Sequence, residues 1–234
     1  MTQMQQKSVK YRHELKYAIS AGELVQIHNR VRNLLPLDSH IGESGSYSIR
    51  SLYFDDYENR CFYENENGTD PREKFRIRIY NHSTDRITLE CKRKERGKTL
   101  KTSCPLTLEQ TRMLMQGKPI PDIYRQPEVL RRLTLQMLTR RMRPVVIVEY
   151  DRIPYVYPSG NVRITLDMNI SASTCIDCFL DERIPKRPVM PTGQHLLEVK
   201  FDEYLPDFIY HSLDLNTMSQ TAYSKYYLCR KFAR

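Results

Sequence analysis

The stretch "KFRIRIY", Lys74–Tyr80, alternates without a break: Lys74, Arg76 and Arg78 share one face, and Phe75, Ile77 and Ile79 the other. Period two is the signature of a β-strand with two unlike faces. In a half-exposed sheet the apolar face meets the core and the basic face meets water. Other segments repeat the division. In "TLECKRK" Glu90, Lys92 and Lys94 oppose Leu89 and Cys91, and in "VRITLD" Arg163, Thr165 and Asp167 oppose Val162, Ile164 and Leu166. In "LLEVKFD" Glu198, Lys200 and Asp202 oppose Leu197, Val199 and Phe201, and in "YRHELKY" Arg12, Glu14 and Lys16 oppose Tyr11, Leu15 and Tyr17.

Taken one strand at a time, a solvated outer face accounts for this pattern. Two features weigh against it. Solvated faces mix Ser, Thr, Asn and Gln among the ions, whereas these repeat Arg, Lys and Glu at matched positions. The helices, moreover, carry apolar stripes of their own and need a sheet face to cover. After Ser20, with Glu23 completing a capping box, Leu24, Ile27, Val31, Leu34 and Leu35 recur at helical spacing. Thr107 caps a short helix ending at Gly117, a basic amphipathic helix runs from Glu128 to about Met142, and "MSQTAYSKYYLCRKF" (218–232) reads as a C-terminal helix. Strands are expected at Lys10–Tyr17, at "YSIRSLYFD" (47–55), on both sides of the turn "NHSTD", around Thr99–Cys104, and on both sides of Pro158–Asn161. The predicted class is α+β: an antiparallel β-barrel with helices packed outside, its charged faces lining the lumen, in a single domain over residues 1–234.

A charged lumen needs an occupant. Unpaired buried cations lose hydration worth roughly several kcal/mol each, so they require carboxylates or an anionic ligand. Arg forks match phosphate oxygens in pairs, while Lys acts as a mobile point charge. Carboxylates in such a site repel phosphate unless a divalent cation bridges them. The pattern therefore points to metal-assisted handling of a triphosphate or longer phosphate chain. A net charge of +9 and a pI near 9.2 agree with an anionic partner.

No apolar run is long enough to span a bilayer and the first residues have no hydrophobic signal core, so a cytoplasmic protein is expected. Cys175 and Cys178 form a lone C-x-x-C, expected to stay as reduced thiols. The histidines at 13, 28, 40, 82, 195 and 211 form no cluster. The basic helix "RRLTLQMLTRRMR" (131–143) reads as a solvated face, and no nucleic-acid-binding module accompanies it.

The segments "YRHELKY", "SLYFD", "KFRIRIY", "LECKRK", "VEYDR", "RITLD", "LLEVK" and "YSKYY" occur in the order found in the triphosphate tunnel metalloenzymes of the CYTH-like superfamily. From about residue 10 to 232 the chain most resembles the polyphosphate polymerase domain of the vacuolar transporter chaperone (VTC) type, in its compact bacterial form. That resemblance implies a β-tunnel that binds ATP or another triphosphate with Mn²⁺ or Mg²⁺ and passes the γ-phosphate to a growing inorganic polyphosphate chain. It implies catalytic clamps at Lys16, Arg76, Arg78, Lys92, Arg152, Arg163, Lys200 and Lys225. Substrate contacts would come from Arg12, Arg50, Lys74, Lys101, Tyr150 and Ser224, and metal ligation from Glu198 with Glu14 and Glu90. Where the hydrolytic branch has the first Glu of Glu-x-Glu-x-Lys, this chain has Arg12, which favours the polymerase branch. The phosphate-sensing and membrane domains of the eukaryotic polymerases have no counterpart, so translocation by this chain alone is not expected. A triphosphatase of the same fold and a non-catalytic polyphosphate-binding accessory subunit are the alternatives.

Overall fold

The computed structural model describes residues 11–39, 41 and 45–233. His40 and the start of the strand expected from Lys10 lie outside the described residues. The first strand is β1 (His13–Ser20), and Ser20 caps α1 (Ala21–Val31) through the expected capping box with Glu23. Ile27 and Val31 on α1 are buried, as is Leu35 beyond it, whereas Leu34 falls past the helix end and is exposed. β2 (Tyr47–Asp55) leads through α2 (Arg60–Glu66) to β3 (Arg72–Tyr80), β4 (Ser83–Glu95) and β5 (Lys98–Leu106). Two-residue turns join these last three strands, Asn81-His82 and Arg96-Gly97, each residue with positive φ. Such turns match the right-handed twist of the strands they connect.

Thr107 caps α3 (Leu108–Met115), again through a capping box, with Gln110. α4 (Glu128–Arg140) precedes the long hairpin of β6 (Arg143–Tyr157) and β7 (Val162–Ser173). The two-residue β8 (Arg187–Pro188) pairs with β7, and β9 (Gln194–Phe201) leads to α5 (Asp207–Ser212), which the sequence reading does not anticipate. The last helix, α6 (Lys225–Phe232), is shorter than expected. Residues 218–223 are not helical, because Gln220 bridges to Tyr17 and the Thr221 amide donates to the Lys16 carbonyl at 2.8 Å.

The strands run antiparallel in the order β1-β9-β7-β6-β2-β3-β4-β5, with β8 off that path. The two edges of this curled sheet meet at one point. Arg12 and Thr99 exchange both backbone hydrogen bonds at 3.1 Å, which joins the entry to β1 to β5. The apolar faces point outward under helices. α1 and α5 bury Ile27, Val31, Ile209 and Leu213 against Ile164, Leu166, Leu197 and Val199. α3 and α4 bury Leu114, Leu130 and Leu133 with Phe75, Ile77, Ile79 and Leu89.

α6 behaves differently and enters the concave side. The Tyr226 ring lies 5.2 Å from that of lumen-facing Tyr53, and the Cys229 thiol reaches the Ser171 carbonyl of β7 at 3.7 Å. α2 packs beside it. Cys175 and Cys178 are joined as a disulfide rather than left reduced; a spacing of three residues in a short turn brings their Cα atoms to 5.4 Å. The other four cysteines are free and buried. Among the described residues no helix is long and apolar enough to cross a membrane.

Candidate functional site

The charged faces enclose a cavity of about 390 Å³ walled by ten cationic side chains and two carboxylates. β3 supplies Arg72, Lys74, Arg76 and Arg78, and β4 supplies Lys92 and Lys94. Glu14 and Lys16 come from β1, Arg152 from β6, Glu198 and Lys200 from β9, and Lys225 from α6. Register brings them together: Lys16 stands opposite Glu198, and Arg76 opposite Glu90.

The carboxylates are shared among several cations. Glu198 lies 2.7 Å from Lys200, 3.4 Å from Arg152 and from Lys225, and 3.5 Å from Lys16. Glu14 accepts from Lys92 at 2.6 and 2.9 Å and meets Lys16 at 3.0 Å. Although burial disfavours the charged form, these lysines hold both carboxyls well below the usual range. Asp167 stands just behind the wall, fully buried. It accepts from Arg152 Nε and Nη2 at 2.6 and 2.7 Å and pairs with Lys225 at 2.6 Å. Despite its own desolvation, Lys225 is pushed above the ordinary lysine value by Asp167 and Glu198.

Aromatic groups complete the wall. Tyr150 accepts from Arg78 at 3.4 Å, and its ring lies 5.2 Å from the Arg152 guanidinium and 5.0 Å from the Lys225 ammonium. Tyr53 accepts from Arg76 at 2.7 Å. The ring faces attract the cations and hold them without adding a competing carboxylate.

Lys74 differs from its neighbours. It donates to Asn65 Oδ1 at 2.6 Å and to Ser224 Oγ at 3.2 Å and lies 4.9 Å over the Tyr226 ring. Desolvation, followed by repulsion from Arg72, pushes it down to about 7. Lys92 is depressed to about 8, because burial outweighs the attraction of Glu14.

Some expected residues lie away from the cavity. Arg50 points to the opposite face of β2 from Ser51 and Tyr53, and its guanidinium is consumed there. Nε donates to Glu149 at 2.5 Å, and Nη1 and Nη2 donate to the carbonyls of Phe179 and Glu182 at 3.0 and 3.1 Å. It also donates to the Asp181 carbonyl. Arg50 therefore anchors the 176–182 segment instead of facing a ligand. Arg163 lies on the inner side of β7 but pairs with Asp38, and Arg12 pairs with Asp202 at 2.9 Å; neither borders the cavity. Lys101 is turned to Glu90 at 3.1 Å.

Glu90 is held apart from the other two carboxylates, in contact with Arg76 at 2.6 Å and Arg78 at 3.6 Å. Among the described residues no three His, Cys, Asp or Glu side chains gather as a metal site. The donors nearest to one are Glu14 and Glu198, flanking Lys16. The buried Thr165 hydroxyl, opposite Glu198 in the register, has no hydrogen-bond partner. This hard-oxygen set fits Mg²⁺ or Mn²⁺ when most ligands come from phosphate and water.

Arg72, Lys94, Asn65, Asp167, Tyr53 and Thr221 were not among the expected site residues. Arg72 and Lys94 extend the period-two series of Arg76 and Lys92 and were legible on that ground. Asn65 and Thr221 sit on a short helix and a loop without periodicity, and only the fold brings them here.

The VTC domain family model matches residues 11–233. The chain belongs to the VTC domain family. No curated protein sequence matches it. Among solved structures, a VTC domain of this form is similar to a candidate adenylate cyclase of Bacillus halodurans, at 15% identity and a TM-score of 0.53, covering 90% of this chain and 93% of that one. It is also similar to a Hippeastrum candidate adenylyl cyclase whose dominant activity is that of a triphosphatase. That likeness has 10% identity and a TM-score of 0.56, covering 95% of this chain and 96% of that one. At these identities the likeness establishes the fold alone, a tunnel-type α+β architecture with a curled antiparallel sheet and helices outside.

Proposed function

We propose that this VTC domain is an ATP-dependent polyphosphate polymerase, transferring the γ-phosphate of ATP to the end of an inorganic polyphosphate chain. The observation that carries this reading is the surplus of cations over carboxylates on the cavity wall of a VTC domain. Arg76 and Arg78 brace the γ-phosphate from one side, and Arg152, Lys200 and Lys225 from the other. Lys16 and Lys92 exchange their carboxylate partners for phosphate oxygens.

In the transfer step a terminal oxygen of the acceptor chain forms a bond to the γ-phosphorus. The bond from that phosphorus to the β,γ-bridging oxygen breaks, and ADP leaves with the electron pair. The acceptor oxygen is already ionised, so the step needs no strong general base, in keeping with a cavity wall that holds no histidine among the described residues. Positioning and charge neutralisation supply the rate. Mg²⁺ or Mn²⁺, held by Glu198 with Glu14 beside it, would contribute further neutralisation of the phosphate oxygens.

Glu14 and Glu198 together also suit hydrolysis, with water as acceptor, and this supports a triphosphatase as the second reading. Incubation with ATP and Mn²⁺ or Mg²⁺, followed by gel electrophoresis and ³¹P NMR, separates the two. Long-chain polyphosphate with ADP is expected. Free phosphate as the sole product would establish the triphosphatase, and tight polyphosphate binding without turnover the accessory role.

A further inference from the structure

α4 has an outward face that takes no part in the cavity. Val129, Leu130, Leu133, Thr134 and Met137 are buried on its inner side, under which the sheet lies. Arg131, Leu135 and Leu138 follow one another along the outer side at helical spacing, so each is the surface neighbour of the next. Leu135 is 44% exposed and Leu138 57%. Tyr124, in the single 3₁₀ turn Ile123–Arg125 that packs against α4, is 95% exposed.

These apolar groups stand among cations. Residues 118–143 hold seven Lys and Arg against two carboxylates, Asp122 and Glu128, both ahead of Arg131. Arg132 is turned aside to Glu73 of β3 at 2.5 Å, whereas Lys118, Arg125, Arg131, Arg140, Arg141 and Arg143 are exposed. A single leucine on a surface is ordinary. Here two adjoin on the outermost line of a helix whose inner side already fills the core, with arginines before and after them. A partner bound through its phosphates alone, such as duplex RNA, uses the arginines and gains little from the leucines. A lipid bilayer of negative charge uses both, because Leu and Tyr enter the headgroup boundary while Arg reaches the anionic headgroups.

We propose that the outer face of α4 is a docking surface for an anionic lipid bilayer, with Leu135, Leu138 and Tyr124 in the interface and Arg131, Arg140 and Arg141 on the headgroups. The helix lies on the membrane and does not cross it. This surface is separate from the cavity and does not depend on which reaction the cavity carries.

Vesicle sedimentation tests it. Vesicles of phosphatidylcholine alone are compared with vesicles that also hold about 30% phosphatidylglycerol, with tripolyphosphate present in excess to occupy the basic cavity. The wild type is expected to bind the charged vesicles at least about tenfold more tightly than the neutral ones. Leu135→Ser/Leu138→Ser should weaken that binding about tenfold, through loss of inserted apolar surface. Arg131→Ser/Arg140→Ser should weaken it too and flatten its dependence on salt. All four positions are exposed, so circular dichroism should show both variants folded, with wild-type affinity for tripolyphosphate. No preference for charged vesicles, or unchanged binding by the folded leucine variant, would overturn the docking surface. Duplex RNA bound in place of vesicles, lost in the arginine variant and kept in the leucine variant, would overturn it in favour of a nucleic-acid surface. A wild type that makes no polymer from ATP bears on the polymerase reading alone, because vesicle binding is read without turnover.

Discussion

Asp167 receives both Nε and Nη2 of Arg152 in a two-point grip, and no other side chain holds Arg152 at two atoms among the described residues. It also fixes Lys225, so one carboxylate aims two cavity cations, one from β6 and one from α6. Asp167→Ala leaves two buried cations short of a partner. Unfolding in urea should show a loss of about 3–5 kcal/mol, the scale for breaking a buried ion pair. Asp167→Asn should fold better yet raise KM, since a neutral amide orients Arg152 less firmly.

Arg76 is expected to matter to turnover more than to folding. It borders the cavity, and Glu90 keeps Arg78 and Lys101 when it is removed. Arg76→Ala should reduce turnover by at least about a hundredfold, the scale found for losing one charge-stabilising donor. Thermal melting should shift little. Full activity in this variant would mean that the inner face of β3 does not contact the reacting phosphates.

Glu198→Gln should separate binding from turnover. Four cations lose their shared counter-charge, and the carboxylate that repels phosphate disappears. Tripolyphosphate measured without metal should bind more tightly, while metal-supported turnover should fall. Tighter binding with unchanged turnover would remove Glu198 from metal ligation.

Lys74 and Lys92 give the pH dependence its sign. Their free-protein values are near 7 and 8, against an ordinary lysine value of 10.5. Below 7 both are charged, and above 8 both are mainly neutral until an anion restores the proton. Polyphosphate binding should therefore take up protons between about pH 7 and 10 and weaken as pH rises. Calorimetry in buffers of different ionisation enthalpy measures that uptake. The stability of the free protein should move the other way. In this window the unfolded chain holds the protons and the folded one does not, so stability from these groups is lost as pH falls through 8 and 7.

Arg50 supplies the contrasting case. Arg50→Met should destabilise the fold, because Glu149 loses a buried partner and the carbonyls of residues 179–182 lose their donor. Tripolyphosphate affinity should not change.

β3 and β9 were legible because their two faces differ: one meets apolar helices and the other a charged cavity, and alternation records the difference. β2 is buried along almost its whole length on both faces, so its alternation is blurred. The resemblance placed Arg50 among the substrate contacts, and no alternation in β2 stood against it, although its carboxylate partner, Glu149, lies on the outward side of the neighbouring strand. Asp167 was visible within "VRITLD" on the correct face, but its role depends on Lys225, a residue far away in sequence. The start of α6 was misjudged for a related reason: helical composition from 218 onward is overridden by hydrogen bonds to β1.

The seam of the tunnel has a consequence for how the protein acquires its site. Arg12 is tied to Thr99, and Thr221 to Lys16 across 205 residues. Contacts this distant in sequence carry a large loop-closure cost and form late. The cation wall should therefore come together only in the last stage of folding. In a refolding experiment, polyphosphate capture should lag behind the growth of β-sheet signal.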